Sequence, residues 1–450
     1  MNRTENGHSV SRRSVLGGAL LGAAGMALRD VPVLWALPAG AAKPAPGKQA
    51  RARSVIQIWM WGGPSHLDTF DPKPQAGYDY CGPLNKPIAT NVDGIRICES
   101  LPLLATHADK YAIIRSMTHG NNGHETASYI VQTGRVPDRQ VFPTAGAVVS
   151  MFKGYDHGYQ GIVPPYIVLT EPQGRFSEAG FLGQRYKPFA TGGDPNQQRF
   201  VVEGIVAAGI SDERQHQRRE LLHKLDALGR AMPAHPEFQA LDRCEQNAYD
   251  VMFGDARKLF DLSSESDAVR ERYGRNTFGQ SCLVARRLVE NGVPWVTINY
   301  KGWDTHKQHF EIMRRKLPEM DRGMAALLGD LADRSLLDTT IVWWTGEFGR
   351  TPKVQWESPW NGGRGHYGQC FCTLLAGGGF QGGRVVGASD SKGEQVADRP
   401  VRPEDVIGTI YQQLGIDPEG PLPNSSGLDV SVLPTAEQGR QSAGRLREII

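Results

Sequence analysis

The chain has 450 residues, with 50 Lys plus Arg against 48 Asp plus Glu and a formal charge of +2. So even a balance, with no basic stripe, excludes a nucleic-acid partner held by charge. A hydrophobic fraction of 40% and a charged fraction of 22% exclude disorder over most of the length, and 53 Gly with 29 Pro announce many turns and long loops.

Residues 1–10 are polar, and Ser11-Arg12-Arg13-Ser14-Val15-Leu16 then leads into the weakly apolar LGGALLGAAGMAL. Paired arginines ahead of such a stretch resemble a twin-arginine (Tat) export signal, and Ala39-Gly40-Ala41-Ala42 offers a small-residue cleavage site. The run is too short and too rich in Gly and Ala for a stable membrane span, and no later apolar run reaches about 18 residues. The expected order is a signal over 1–42 and a Pro/Lys/Arg/Ala linker over 43–53. The mature chain is expected to be periplasmic or extracellular, with no stable span after cleavage.

Ser54–Met60 is apolar and stopped by Gly62-Gly63-Pro64, which predicts a buried strand. Further strands are predicted over 111–115, 165–169, 293–300, 338–344 and 372–376. The spacing predicts a helix from His124 to Gln132, closed by Gly134 with Pro137 beyond. Between about 211 and 290 the chain turns charged and helix-patterned, which predicts a helical insertion of three helices. A long amphipathic helix follows over 310–334, with Pro318 inside, and a last one from Pro403 to Leu414, ended by Gly415. Alternation of apolar strands with helices predicts an α/β fold, a mostly parallel sheet with helices on both faces.

Six cysteines are spread thinly, and no CxxC occurs. Cys81 and Cys98 could pair across a loop in an oxidising compartment, while Cys370 and Cys372 alternate as core residues of a strand.

Ligands of open α/β sheets bind beyond the carboxyl ends of the strands. Four polar clusters fall immediately after predicted strands. The first is Gly62–Pro72, where His66 and Asp68 lie two apart, so an extended segment aims both to one side; a turn capped by Asp68 and Asp71 is the alternative. The second, Ser116–Thr126, holds Thr118, His119, His124 and Thr126 ahead of a helix whose first amides face an anion. Asp304 and His306 alternate in the third, a carboxylate and an imidazole of the kind borderline metals accept. The fourth carries Glu347, whose aromatic lead-in demands a charge partner such as Arg350 or a cation, and His366 in a glycine-rich loop. No Gly-x-Ser-x-Gly elbow, dinucleotide fingerprint or Walker loop accompanies them.

The export signal together with GGPSHLDTFDPKP, THGNNGHETASYIVQTG, GWDTH, WTGEFGRTP, GRGHYG and LLAGGGFQGGRVVG resembles the exported domain-of-unknown-function family numbered fifteen-oh-one. That family looks like a branch of the alkaline phosphatase/sulfatase superfamily, and the likeness covers about residues 52–430. The expected organisation is one domain over 54–433 with the helical insertion of about 211–290, and the polar stretch from Pro434 predicts a flexible tail over 434–450. The superfamily's order of ligands is matched by His66/Asp68, the Thr118–Thr126 loop, Asp304/His306, Glu347 and His366. Thr345–Gly349 resembles Thr-Ser-Asp-His-Gly, with Glu347 at the Asp and Phe348 at the His. Thr133–Pro137 is similar to the Thr-Gly-x-x-Pro that follows the nucleophile helix.

The resemblance implies a divalent metal (Zn, Mn, Ca or Mg) on Asp304, His306, Glu347 and His366, with His66 and Asp68 in support. It implies catalytic work for Thr118, His124, Thr126 and Arg350, with Arg350 or Arg364 balancing an oxyanion. Two departures stand out. Phe348 cannot bind a metal, and the nucleophile position, counted back from Thr133, falls on His124; no Cys-x-Pro-x-Arg of a formylglycine sulfatase occurs. The expected function is an exported metal-dependent hydrolase of phosphate or sulfate esters. Its partner would be a small anionic ester or a sulfated or phosphorylated glycan. The alternative is a non-catalytic exported metal- or glycan-binding protein on the same fold.

Overall fold

Apolar runs rich in β-branched and aromatic residues become the central sheet. The computed structural model describes residues 50–171, 178–197, 212–225, 255–424, 427–435 and 442–450, with Ala231 and Asp242. Its strands are β1 (Ser54–Met60), β2 (Tyr111–Met117), β3 (Tyr166–Leu169), β4 (Phe189–Ala190), β5 (Trp295–Tyr300), β6 (Thr340–Thr345), β7 (Phe371–Ala376) and β8 (Arg384–Val386). They hydrogen-bond in the order β8-β2-β7-β6-β1-β5-β3-β4. Seven run in one direction. Only β7 is reversed, pairing antiparallel with both β2 and β6. Sequence pattern could not give that direction, because side chains alternate identically in either sense.

Helices cover both faces, as expected. Along β1, Ile56, Ile58 and Met60 join one core with α4 (Thr277–Glu290) and α5 (His309–Asp333). Val55 and Trp59 point to the other core, beneath α1 (His124–Thr133), α2 (Ala145–Lys153) and α6 (Pro403–Gln413). Helix α3 (Asp212–Leu225) belongs to the predicted insertion, whose second helix, apart from Asp242, lies outside the described residues. The export signal lies outside them as well.

A buried polar chain fixes α1 on the sheet. Gln57 Nε2 donates to Gln132 Oε1 at 3.1 Å, and Thr297 Oγ1 donates to Gln57 Oε1 at 3.0 Å. Such pairs satisfy groups that would otherwise be stranded in the core. They also pin the helix whose first residue is His124. Gly134 ends that helix in the left-handed region at φ +67°, as its sequence position predicts.

Two expectations need correction. Among residues 442–450 the chain is not a loose tail: Leu446 and Ile449 are fully buried, and Leu446 N donates to Thr409 Oγ1 at 3.1 Å. Cys81 and Cys98 are free thiols rather than a bridge; Cys81 Sγ instead donates to the Lys73 carbonyl at 2.7 Å. Among the described residues, no helix is long and apolar enough to cross a membrane.

Candidate metal centre

Because seven strands run one way, the loops after β1, β2, β5 and β6 meet at one edge of the sheet. The reversal of β7 brings its leading segment, which carries His366, to the same edge. A two-residue antiparallel ladder pairs His366 with Arg350 and Tyr367 with Gly349. Side chains far apart in sequence therefore converge through topology alone.

Asp304 is the hub. Its Oδ1 lies 3.0 Å from His366 Nε2 and 3.1 Å from His306 Nε2, and those two nitrogens are 2.8 Å apart. Its Oδ2 lies 3.3 Å from His124 Nε2. Arg350 Nη2 donates to Oδ1 as well. Partial burial alone would raise the Asp304 carboxyl; hydrogen bonds from His124, His366 and Arg350 outweigh it and hold the group well below the usual carboxylate range. Asp304, His124 and His366 together present three ligand atoms within 4.8 Å of one another.

Each imidazole is oriented from behind. His366 Nδ1 lies 2.8 Å from the Asn122 carbonyl, which can only accept. That contact orients the ring and turns Nε2 toward Asp304 and His306. His124 Nδ1 lies 2.8 Å from Glu347 Oε1, and Trp61 stacks on its ring at 5.6 Å and 19°. Facing Asp304 on one nitrogen and Glu347 on the other, His124 is raised to about 9. Burial, with a little opposition from the Asp304 carboxylate, lowers His306. His119 is pushed down to about 4 by burial; it donates from Nε2 to the Glu347 carbonyl at 2.7 Å and accepts from Asn121 N on Nδ1. It is a fixed neutral support for the Glu347 backbone.

Glu347 is fully buried. Its Oε1 accepts from Gly62 N at 2.9 Å, while Oε2 is buried with no hydrogen-bond partner. Glu347 therefore sits behind His124, one step removed from the Asp304 cluster. Phe348 fills the place where the resemblance expected an imidazole. Its ring lies on His366 at 4.5 Å and 25° and against His124 at 5.1 Å, so an apolar wall replaces a ligand.

Gly62 makes the close approach possible. It adopts φ +107°, and a Cβ there would stand 2.2 Å from Asp304 N. Gly62→Ala is expected to displace the Asp304 loop and weaken divalent-cation binding by at least about 10–100-fold, the usual cost of losing an outer support. Isothermal titration with Zn2+ checks it; unchanged affinity would remove the loop contact from the account.

His66 and Asp68 do not join this cluster. The segment is not extended but folded into turns, with Asp71 N donating to the His66 carbonyl at 2.9 Å and Thr69 Oγ1 to the Ser65 carbonyl at 2.7 Å. Asp68 instead lies in the core, its Oδ2 2.8 Å from Arg364 Nε and 2.9 Å from His309 Nε2. His309 Nδ1 reaches Thr305 Oγ1 at 2.6 Å. Arg364 is thereby committed to Asp68 rather than to an oxyanion. His66 is buried, its Nε2 2.8 Å from the Gly393 carbonyl.

The hydroxyls fare likewise. Thr126 follows His124 by two residues, about 200° around the helix. It lines a separate cavity of about 560 Å³ with Glu125, Tyr129, Asp138, Phe142 and Glu178. Thr118 pairs its amide with the Val401 carbonyl at 3.0 Å and takes no part in the cluster's hydrogen bonds. Trp61 and Asn122, which orient His124 and His366, carried no signal beyond their position after a strand.

A carboxylate and three imidazoles gathered at one edge of a mostly parallel sheet define an α/β protein with a candidate metal centre. Residues 52–438 match the family described as Protein of unknown function (DUF1501), and the chain belongs to that family. No curated protein matches it. Among solved structures it is similar to a protein in the alkaline phosphatase superfamily from Vibrio parahaemolyticus, at 12% identity over 82% of this chain and 68% of that chain, with a TM-score of 0.37. It is similar also to the PsFucS1 sulfatase from Pseudoalteromonas sp., at 13% identity over 82% and 69%, TM-score 0.35. A third is the phosphonate monoester hydrolase SpPMH from Silicibacter pomeroyi, at 10% over 80% and 73%, TM-score 0.35.

Proposed function

We propose that this chain is an exported, metal-dependent hydrolase of phosphate or sulfate esters. The observation that carries the proposal is the convergence of Asp304 Oδ1, His306 Nε2 and His366 Nε2 within 3.1 Å of one another. The donor set fits a divalent cation. Two imidazole nitrogens and a carboxylate oxygen crowd within 3.1 Å of one another, the nitrogen and oxygen mixture that borderline divalent cations accept. Donors at about 2.0–2.1 Å from a tetrahedral ion stand about 3.3 Å apart, close to the spacings here.

Asp304, His306 and His366 would hold the cation, and Glu347 would act through His124 as its buried orienting carboxylate. When bound, a divalent ion supplies Lewis acidity toward a phosphoryl or sulfuryl oxygen. The chain's own residues do the rest. His124 holds a proton at Nε2 beside Asp304 Oδ2, and Glu347 on its Nδ1 fixes the ring's orientation. Arg350 gives fixed positive charge beside Asp304. The open rim beside Asp304, 41% exposed on its side chain, leaves room for a small anionic ester or an anionic group on a glycan.

Metal analysis of the purified chain, with thermal melts before and after chelation and a screen of nitrophenyl phosphate and sulfate esters, tests this. Bound metal with turnover is expected. Less than about a tenth of an equivalent, with melting unmoved by chelator, would overturn it. Bound metal without turnover on any ester would favour a binding protein on the same fold.

A further inference from the structure

Arg350 is fully buried, and its donors meet oxygen in every direction. Nη2 donates to Asp304 Oδ1 and to the Gly62 carbonyl. Nε donates to the Gly63 carbonyl at 3.1 Å, and Nη1 to the Arg364 carbonyl at 3.2 Å. Three backbone carbonyls and a carboxylate oxygen form a set that a hard cation prefers. The Nε2 atoms of His306 and His366 lie against the same Asp304 oxygen. The centre thus has a nitrogen-rich seat and an all-oxygen seat that share Asp304 Oδ1.

We infer that Arg350 is a built-in cation filling the oxygen seat, so that the chain takes one divalent ion and not two. The inference rests on the metal reading above and adds the count to it. A guanidinium cannot be neutralised by losing a proton. Swinging out would leave the Gly62, Gly63 and Arg364 carbonyls buried without partners, an expensive loss for backbone groups. A second divalent ion would also stand against a fixed positive charge a few ångströms away, with little water to screen it. Phe348 closes the remaining side, its ring 5.7 Å from the guanidinium carbon. Arg350 is therefore a positioning residue: it holds Asp304 toward the two imidazoles and denies the other side to metal.

Stoichiometry decides the matter independently of turnover. The full chain, freed of metal and titrated with Mn2+ and separately with Zn2+, is expected to saturate at one equivalent by calorimetry and by elemental analysis. Arg350→Lys keeps a charge and stays at one. Arg350→Ser empties the seat and takes a second, weaker equivalent. Should Arg350→Ser fail to fold by circular dichroism, Arg350→Gln gives the same neutral test in a larger side chain. Two equivalents in the unaltered chain, both lost in Asp304→Asn, would overturn this inference and leave the metal reading standing. A folded Arg350→Ser that still takes one equivalent with unchanged affinity would also overturn it. No bound metal in the unaltered chain would remove both.

Discussion

Asp304→Asn is expected to lower divalent-cation affinity by at least about 100-fold and to abolish ester turnover in a chain that still folds. Outer supports of metal ligands already contribute about 10–100-fold to affinity, so a shared first ligand sets a higher floor. Asparagine keeps the shape but loses the negative charge that His124, His306, His366 and Arg350 all face. Stability should fall as well, since the fully buried Arg350 loses the Asp304 carboxylate, but by less than for a pair wholly in the core, because the Asp304 side chain is 41% exposed and Arg350 keeps three carbonyl partners. Calorimetric titration with Zn2+ and a denaturant curve on the same variant separate the two effects. Retention of the metal in Asp304→Asn would dismiss Asp304 as the hub.

Much of this centre was legible before any coordinates. Buried parallel strands are long apolar runs, so β1, β5 and β6 announced themselves, and the rule that ligands gather past their carboxyl ends pointed to Asp304, His306, Glu347 and His366. The two-residue period misled at His66 and Asp68. It holds only for extended backbone, and the turn after Pro64 breaks it. His309 was hidden for a related reason. It stands beside the Asp304–His306 pair in sequence, but as the first residue of α5 it points down to Asp68. The displacement of Glu347 to a place behind His124 depends on which ring nitrogen meets which oxygen, and no spacing encodes that. The buried C-terminal residues were missed because PTAEQGRQSAGRLREII carries only Leu446, Ile449 and Ile450 as large apolar anchors, too few to make a periodic pattern.

The buried trio beneath the site should dominate stability instead. Asp68→Asn is expected to lower the unfolding free energy by about 3–5 kcal/mol, since it leaves the Arg364 charge in the core without its carboxylate. Asp68, His309 and Arg364 are all fully buried, so solvent screening gives no relief. Burial alone would raise the Asp68 carboxyl, yet Arg364 and His309 bring it down to about 2. A carboxyl whose folded value lies below its unfolded value stabilises the fold above the unfolded value. That contribution should be complete above about pH 4 and vanish as pH falls toward 2. His66 and His309 act in the same direction at higher pH. Burial lowers both from the ordinary value of 6.5, so the unfolded chain takes up protons first and stability declines once pH drops below that value. Guanidinium midpoints across pH 7.5 to 2.5 should therefore fall in two stages, and Asp68→Asn should shrink the lower one, to which Asp304 also contributes. The double replacement Asp68→Leu with Arg364→Met should cost less than either single change, because it removes both charges together. Strictly additive losses would mean that the pair is not coupled, and an unchanged acid limb in Asp68→Asn would place the titrating carboxylate elsewhere.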